Sequence, residues 1–260
     1  SSIKKILFPF YKEQKIKEIF KILNKNNNNA MLVGGCVRNY LSKKEIVDID
    51  IATVFSPGEI VKKFSNSGFT LVKTGISHGT IILCKDGKNF EITTLREDIS
   101  TDGRHAKVLF TNDWEKDSAR RDFTFNAIYL DQNGKFLDPQ NGIKDLKEKK
   151  IRFIGDPQKR IQEDYLRILR FLRFSIEYKD FNIDENTIKI IKKNLNGILN
   201  LSKERVYSEL YKILKLDNFR DIFLNSDLYE IFKIIFPELK YFERLKHIKD
   251  EIYNKYLKSD

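Results

Sequence analysis

The 260-residue sequence predicts an α+β fold, with mixed strands and helices over residues 1–140 and a helical part after them. Three observations predict it. Short apolar runs of strand length are interleaved with helical stripes in the first half. From Asn141 onward, apolar residues recur three and four apart. Between the two halves lies Asp138-Pro139-Gln140-Asn141-Gly142-Ile143-Lys144-Asp145-Leu146, a turn-rich string that passes into a helix.

Each element follows from local pattern. Residues 11–23 place Ile16, Ile19, Phe20 and Leu23 on one helical stripe with lysines on the other side, and the asparagine-rich tract after Leu23 ends that helix. Residues 31–33, 49–52, 70–72, 80–84 and 90–93 read as strands. Residues 56–64 read as a helix capped by Ser56, with Pro57 at its first position. The long polar stretch 94–118, which includes Asp98, Asp102-Gly103-Arg104-His105 and Asn112-Asp113, reads as a functional or disordered loop. Helical periodicity then marks residues 161–174, 187–198, 206–214 and 222–232, and no internal repeat stands out.

Composition sets bounds on function. Lys and Arg total 48 against 37 Asp and Glu, a formal charge of +11 that suits a polyanionic partner and is equally met in solvated lysine-rich helices. Cys36 and Cys84 sit in apolar segments without a C-x-x-C spacing, so they read as buried free thiols rather than zinc or redox ligands. No apolar run approaches about 18 residues and no charged-then-apolar leader is present, so the expectation is a cytoplasmic protein with neither membrane span nor secretory signal.

The most telling stretch is Val47-Asp48-Ile49-Asp50-Ile51-Ala52-Thr53, shortly after Gly34-Gly35-Cys36-Val37-Arg38. Residues i and i+2 of a strand point the same way, so Asp48 and Asp50 can share a hard divalent cation while Ile49 and Ile51 face the core. The bland alternative is a strand end with two solvated carboxylates. Only oxygen ligands are on offer in the motif, which favours magnesium over zinc. Gly34 and Gly35 let a backbone turn approach phosphate, the residues after them can open a helix, and Arg38 can pair with phosphate oxygens.

Two further constellations follow: Arg120-Arg121-Asp122-Phe123-Thr124-Phe125-Asn126-Ala127 and Glu163-Asp164-Tyr165-Leu166-Arg167. In the first, Arg120 and Arg121 can neutralise triphosphate, and Asp122 and Asn126 reach ribose hydroxyls if the segment is helical; Phe123 and Phe125 read as packing. In the second, Asp164 and Arg167 fall on one helix face at i and i+3, where an intrahelical ion pair is the plain alternative. Arg170 and Arg173 continue that helix toward RNA or solvent.

With Leu32-Val33-Gly34-Gly35 and Asp48-Ile49-Asp50-Ile51-Ala52-Thr53, these blocks make residues 30–215 resemble the class II tRNA nucleotidyltransferases and bacterial poly(A) polymerases of the polymerase-β nucleotidyltransferase superfamily. Leu201-Ser202-Lys203-Glu204-Arg205 also resembles the helix that follows the last family motif. The resemblance implies a polymerase-β-like head over residues 1–140, a helical neck over 141–215 joined at a D-P-x-x-G-x-x-D-L hinge, and a short helical body over 216–260. It implies addition of CCA, or part of it, to the tRNA 3' end from CTP and ATP with Mg2+ and no nucleic-acid template. No protein partner is expected.

Under that resemblance Asp48 and Asp50 hold metal, and Glu91 is a third carboxylate or an exposed strand residue. Gly34, Gly35, Arg38, Arg120, Arg121, Asp122, Asn126, Asp164, Arg167 and Arg170 bind nucleotide. Asp164 and Arg167 read the Watson–Crick edge of cytosine or adenine, and Asp102, Gly103 and Arg104 form a flexible loop needed for the final A. Asn39 departs from the family's usual Asp and brings no charge to that position, and the helical tail is short. His78 reads as structural and His105 as a loop residue. The alternatives are an A-only, CC-only or poly(A) enzyme of the same family, or an inactive RNA-binding protein, which the intact carboxylates and R-R-D block disfavour.

Overall fold

The computed structural model describes residues 9–247 apart from Asn26, Thr74 and residues 102–105, with only the backbone described at 98–101, 106–108 and 247. Asp102, Gly103, Arg104 and His105 therefore lie outside the described residues. In chain order the elements are α1 (Gln14–Leu23), β1 (Ala30–Val33), α2 (Gly35–Leu41), β2 (Ile49–Thr53), α3 (Pro57–Phe64), β3 (Thr70–Val72), β4 (Thr80–Lys85) and β5 (Lys88–Thr94). Next come β6 (Arg96–Thr101), β7 (Ala106–Phe110), α4 (Trp114–Ala119), β8 (Tyr129–Leu130), β9 (Phe136–Leu137) and α5 (Gly142–Lys147). Helices α6 (Pro157–Glu163), α7 (Leu166–Glu177), α8 (Glu185–Asn194), α9 (Lys203–Leu214) and α10 (Ser226–Ile235) complete the set. The fold is α+β, and it divides into two compact units, one up to Ser100 with Ala106–Lys147 and the other from Glu148 onward.

The first unit is built on a seven-stranded sheet in the order β3-β4-β5-β2-β1-β8-β9. Only the β2–β5 pair is parallel, and its register sets Asp50 beside Glu91 and Ile51 beside Ile92. Along β5 the buried Phe90 and Ile92 alternate with exposed residues, the period-2 pattern of a sheet with one packed face. All of β1 is buried, and Met31, Val33, Ala52, Leu95 and Tyr129 form a cluster on which Trp114 and Leu137 pack. Helix α1 lays Ile16, Ile19, Phe20 and Leu23 into the core, and Asn24 ends it by clasping β1 with a donated bond to the Ala30 carbonyl (3.0 Å) and an accepted one from its N–H (2.8 Å). Helix α3 starts at a complete capping box of Ser56 and Glu59, as expected from Ser56-Pro57.

The stretch 94–118 is corrected from loop to mostly regular structure. Strands β6 and β7 form a two-stranded sheet, and Asp113 caps α4 by accepting from the N–H groups of Glu115 (2.8 Å) and Lys116 (3.2 Å). Its polarity misled because residues that cap a helix, as Asp113 does, are polar too. The β8–β9 hairpin was not foreseen, since two residues per strand are too few for periodicity to register.

In the second unit, α7 and α9 are tied by Arg173, whose Nε donates to Glu209 at 2.9 Å. The single helix expected over 161–174 is two helices, because Asp164 adopts φ −155° and ψ 104° between α6 and α7. The periodicity survives the break, which is why the sequence pattern hides it. Helices α6 and α8 are joined by a reciprocal amide pair between Gln158 and Asn194 at 3.2 and 3.0 Å. Among the described residues no helix is long and apolar enough to cross a membrane.

Candidate active site

The turn between β1 and α2 places its backbone beside the first carboxylates. Gly34 has φ +74°, and a Cβ there would lie 3.5 Å from Asp50 Oδ2 and 3.9 Å from Arg121 Nη1. Glycine thus supplies both the left-handed conformation and the close approach. Gly35 opens the seven-residue α2 and stands near Arg38. Arg38 is buried; its Nη1 donates to Asn126 Oδ1 at 2.7 Å, while Nε and Nη2 donate to Asn39 Oδ1 at 3.2 and 3.0 Å. Asn39 is anchored in turn by donating to the Glu45 carbonyl at 2.7 Å. A neutral amide therefore orients the arginine where the family commonly has Asp.

Asp50 lies at the open end of β2, where the burial of Ile51, Ala52 and Thr53 begins. Asp48 is exposed and lies one residue before the strand, whose start at Ile49 is where the sequence reading put it. Glu91 is exposed on β5 directly beside Asp50 in register. Burial, reinforced by the charge of Glu91, pushes the Asp50 carboxyl up to about 6; Arg121 and Arg38 pull the other way, and Asp48 adds to the rise. Among the described residues no three His, Cys, Asp or Glu side chains converge closely enough to hold a metal unaided. An all-oxygen group of crowded carboxylates fits magnesium nevertheless, because that ion is ordinarily held by one or two carboxylates plus substrate phosphates. Cys36 is buried below the turn, its Sγ donating to the Val33 carbonyl at 3.2 Å, and burial pushes its thiol up to about 12, so it is chemically quiet.

The R-R-D-F-T-F-N-A block is not an α-helix, contrary to the condition set for Asp122 and Asn126 to reach a ribose together. Arg120 caps the end of α4, and only Thr124–Asn126 forms a 3-10 turn. Asp122 Oδ1 accepts from Phe123 N (2.7 Å) and Asn126 Nδ2 (3.0 Å), giving a buried chain Asp122–Asn126–Arg38. Phe123 and Phe125 are fully buried and stack on each other at 5.5 Å, as packing residues. Arg120 and Arg121 share Asp117, a buried carboxylate that sequence reasoning missed. Burial alone would raise Asp117, but Arg121 and Arg120 outweigh it and hold the carboxyl down at about 2.

Downstream, Asp138 accepts from the N–H groups of Gly142 (2.8 Å) and Ile143 (2.9 Å), and Asp145 Oδ2 accepts from the Thr124 hydroxyl at 2.7 Å. A Cβ on Gly142 would fall far inside contact distance of the Thr124 carbonyl. The expected hinge string is thus clamped to the R-R-D-F-T-F-N-A block on its α5 side.

In the second unit, Asp164 and Arg167 do not form the intrahelical pair. Asp164 Oδ2 accepts from Arg205 Nη2 at 2.8 Å, whereas Arg167, buried, donates from Nη1 to Glu163 Oε2 (2.8 Å) and the Arg160 carbonyl (2.7 Å). The extended backbone at Asp164 separates the two side chains and gives each its own holder. Tyr165 lies against Gly197, where no Cβ fits. Arg170 is half-buried on α7. The segment that holds Arg205 was singled out, but its contact with Asp164 was not, since nothing in a lysine-rich sequence marks one contact spanning 41 positions.

The poly A polymerase head domain model matches residues 30–152, and a model described as "Probable RNA and SrmB- binding site of polymerase A" matches residues 180–243. Among relatives, the CCA tRNA nucleotidyltransferase 1, mitochondrial, of Homo sapiens is 44% identical over 202 residues, 76% of this chain and 46% of that protein. The CCA-adding enzyme of Streptococcus uberis is 39% identical over 209 residues, 80% of this chain and 51% of that protein. The crystal structure of Bacillus stearothermophilus CCA-adding enzyme in complex with CTP matches with a TM-score of 0.69 and 32% identity, over 79% of this chain and 50% of that one. The chain spans about half the length of the curated relatives it matches. A glycine turn beside Asp50, the Asp50–Glu91 pair, the R-R-D-F-T-F-N-A block and these likenesses agree, and the chain belongs to the family of class II tRNA nucleotidyltransferases and bacterial poly(A) polymerases.

Proposed function

We propose that this chain carries the nucleotidyl-transfer centre of an enzyme that adds CCA, or part of it, to the 3' end of tRNA from CTP and ATP without a nucleic-acid template. The observation that carries the reading is the placement of Asp50 beside Glu91, with the Gly34 turn and Arg121 next to it. Asp48 and Asp50 would hold Mg2+. When bound, the ion would favour ionisation of the 3'-hydroxyl and offset the charge of the departing pyrophosphate. Arg120 and Arg121 bind phosphate oxygens, each already oriented by Asp117 and therefore losing little freedom on binding. Arg38, pinned by Asn39 and Asn126, adds a third positive group beside the glycine turn.

Base choice falls to Asp164 and Arg167 in the second unit. Asp164 accepts from the amino group of cytosine or adenine, and Arg167 donates to a ring acceptor; uracil and guanine present the opposite pattern. A hydrogen-bonding site that leaves a buried group unpaired can reject the wrong base by ~10⁴ or more. The separate holders of the two side chains, Arg205 and Glu163, suit groups that must keep their spacing. Division of labour into a head, a neck and a short body is part of the same reading. Free thiols, buried at Cys36 and half-buried at Cys84, suit a reducing compartment such as the cytoplasm.

The test is incubation of tRNA ending at the discriminator base with each nucleoside triphosphate singly and in combination, with products sized at single-nucleotide resolution. CTP alone should give two additions, and CTP with ATP should give three. A long adenosine tail, or no addition from any combination, would overturn the CCA reading.

A further inference from the structure

Asp117 accepts hydrogen bonds from four residues of the first unit. Its Oδ1 accepts from Arg120 Nε at 2.8 Å and Arg96 N at 3.2 Å, and its Oδ2 accepts from the Tyr129 hydroxyl at 2.7 Å and from Arg121 Nη2 and Nε at 3.0 and 3.3 Å. The i,i+3 and i,i+4 spacings at the end of α4 let one carboxylate grip two consecutive arginines by their Nε edges. The other two donors come from the start of β6 and from β8, so the carboxylate is fixed from three elements. The guanidinium of Arg121 is thereby turned so that Nη1 projects toward Gly34, on the flank where Asp50 also lies.

We propose, building on the nucleotidyl-transfer reading, that Asp117 is a positioning residue with two effects: it aligns Arg120 and Arg121 for phosphate, and it keeps Arg121 from closing onto Asp50, so that Asp50 remains available to a divalent cation. The physical basis is competition. Arg121 is nearly buried, and a guanidinium in the interior takes the best carboxylate in reach. Asp117 wins through two bonds on one oxygen. Without its charge, Asp50 beside the Gly34 turn becomes the next acceptor, and an Arg121–Asp50 pair would occupy a cation ligand and add repulsion against the cation itself.

The test uses the full chain and Mn2+ alone as probe, with binding followed by water-proton relaxation in the absence of nucleotide. Asp117→Asn should weaken Mn2+ binding at least tenfold, and the double variant Asp117→Asn/Arg121→Gln should return it to within about threefold of the parent, because the competing cation is gone. Weak binding in both variants, or parental binding in Asp117→Asn, would overturn the proposal. Asp117→Glu keeps the charge and shifts its position, so it remains informative if the Asn variant does not fold. It should retain Mn2+ affinity while raising the KM for CTP at least tenfold; a parental KM would overturn the alignment half of the proposal. If the parent chain itself neither binds Mn2+ nor adds nucleotide, the metal-centre reading fails along with the inference drawn from it.

Discussion

Asp50 on β2 and Glu91 on β5 stand side by side across the only parallel pair of the main sheet, with Asp50 held partly out of water by the glycine turn above it. Two carboxylates in register repel, and like charges directly opposite in a sheet are destabilising. The arrangement costs stability in the absence of a cation, which is the mark of a site shaped for a ligand rather than for folding.

That cost has a pH signature. The folded state holds the Asp50 proton up to about pH 6, whereas the unfolded chain releases it near the ordinary aspartate value of 3.8. The folded state therefore binds more protons within this window, and Asp50's contribution to stability falls as pH rises through it. Asp50→Asn should raise unfolding free energy by about 1 to 3 kcal/mol at pH 7.5 in metal-free buffer, with the gain vanishing near pH 4. Denaturant curves at the two pH values measure this, and an equal gain at both would show that Asp50 is not strained by its charge.

Asp117 has the opposite sign. Its carboxyl is held at about 2 by Arg121 and Arg120 against the opposing effect of burial, so its contribution is full above the ordinary aspartate range and lost as pH falls toward 2. Asp117→Asn should therefore remove at least about 2 kcal/mol at neutral pH, since it leaves two nearly buried guanidinium groups short of a counter-charge. The deficit should shrink on acidification toward pH 2. A deficit of the same size at low and neutral pH would mean that packing, not charge, is what the substitution disturbs.

Gly142→Ala tests the clamp between α5 and the R-R-D-F-T-F-N-A block. The added methyl has no room against the Thr124 carbonyl, so backbone must shift, and the expected loss is about 3 kcal/mol or more. Reduced phosphate binding should accompany it, since Thr124 lies two residues from both Asp122 and Asn126. A variant with parental melting temperature would show that this stretch is free to move as a hinge.

Much of the first unit was legible because its signals are local. Ser56-Pro57 with Glu59 announces the start of α3, and the apolar stripe of α1 needs only its own helix. What stayed hidden was non-local or too short. Arg38 meets Asn126 across 88 positions, and Asp164 meets Arg205 across 41, distances over which a single sequence carries no pairing signal. The break at Asp164 was invisible because apolar spacing continues in phase on both sides. Asp117 carries no local mark of its role, because its partners, two arginines, a tyrosine and a backbone amide, are brought to it by the fold.

Selectivity separates a base-reading pair from ordinary ion pairs. Arg167→Ala removes the donor proposed to choose among ring edges, and it also frees Glu163 from its partner on α7. Use of CTP and ATP should fall by about 10²-fold or more, and the preference for them over UTP and GTP should narrow by a similar factor. Single-nucleotide incorporation from each triphosphate gives the ratio, and a lowered rate with unchanged preference would return Arg167 to a structural role.

The carboxylates at the open end of β2 are proposed to carry metal-dependent nucleotide addition. The direct measurement is addition to a tRNA ending at the discriminator base, in Mg2+, by the parent chain and by Asp48→Ala and Asp50→Ala, with circular dichroism and melting temperature recorded for each. Addition by the parent and a loss of about 10³-fold or more in each variant are expected, with the fold retained and Asp50→Ala no less stable than the parent. Turnover within a few-fold of the parent by either variant would contradict it.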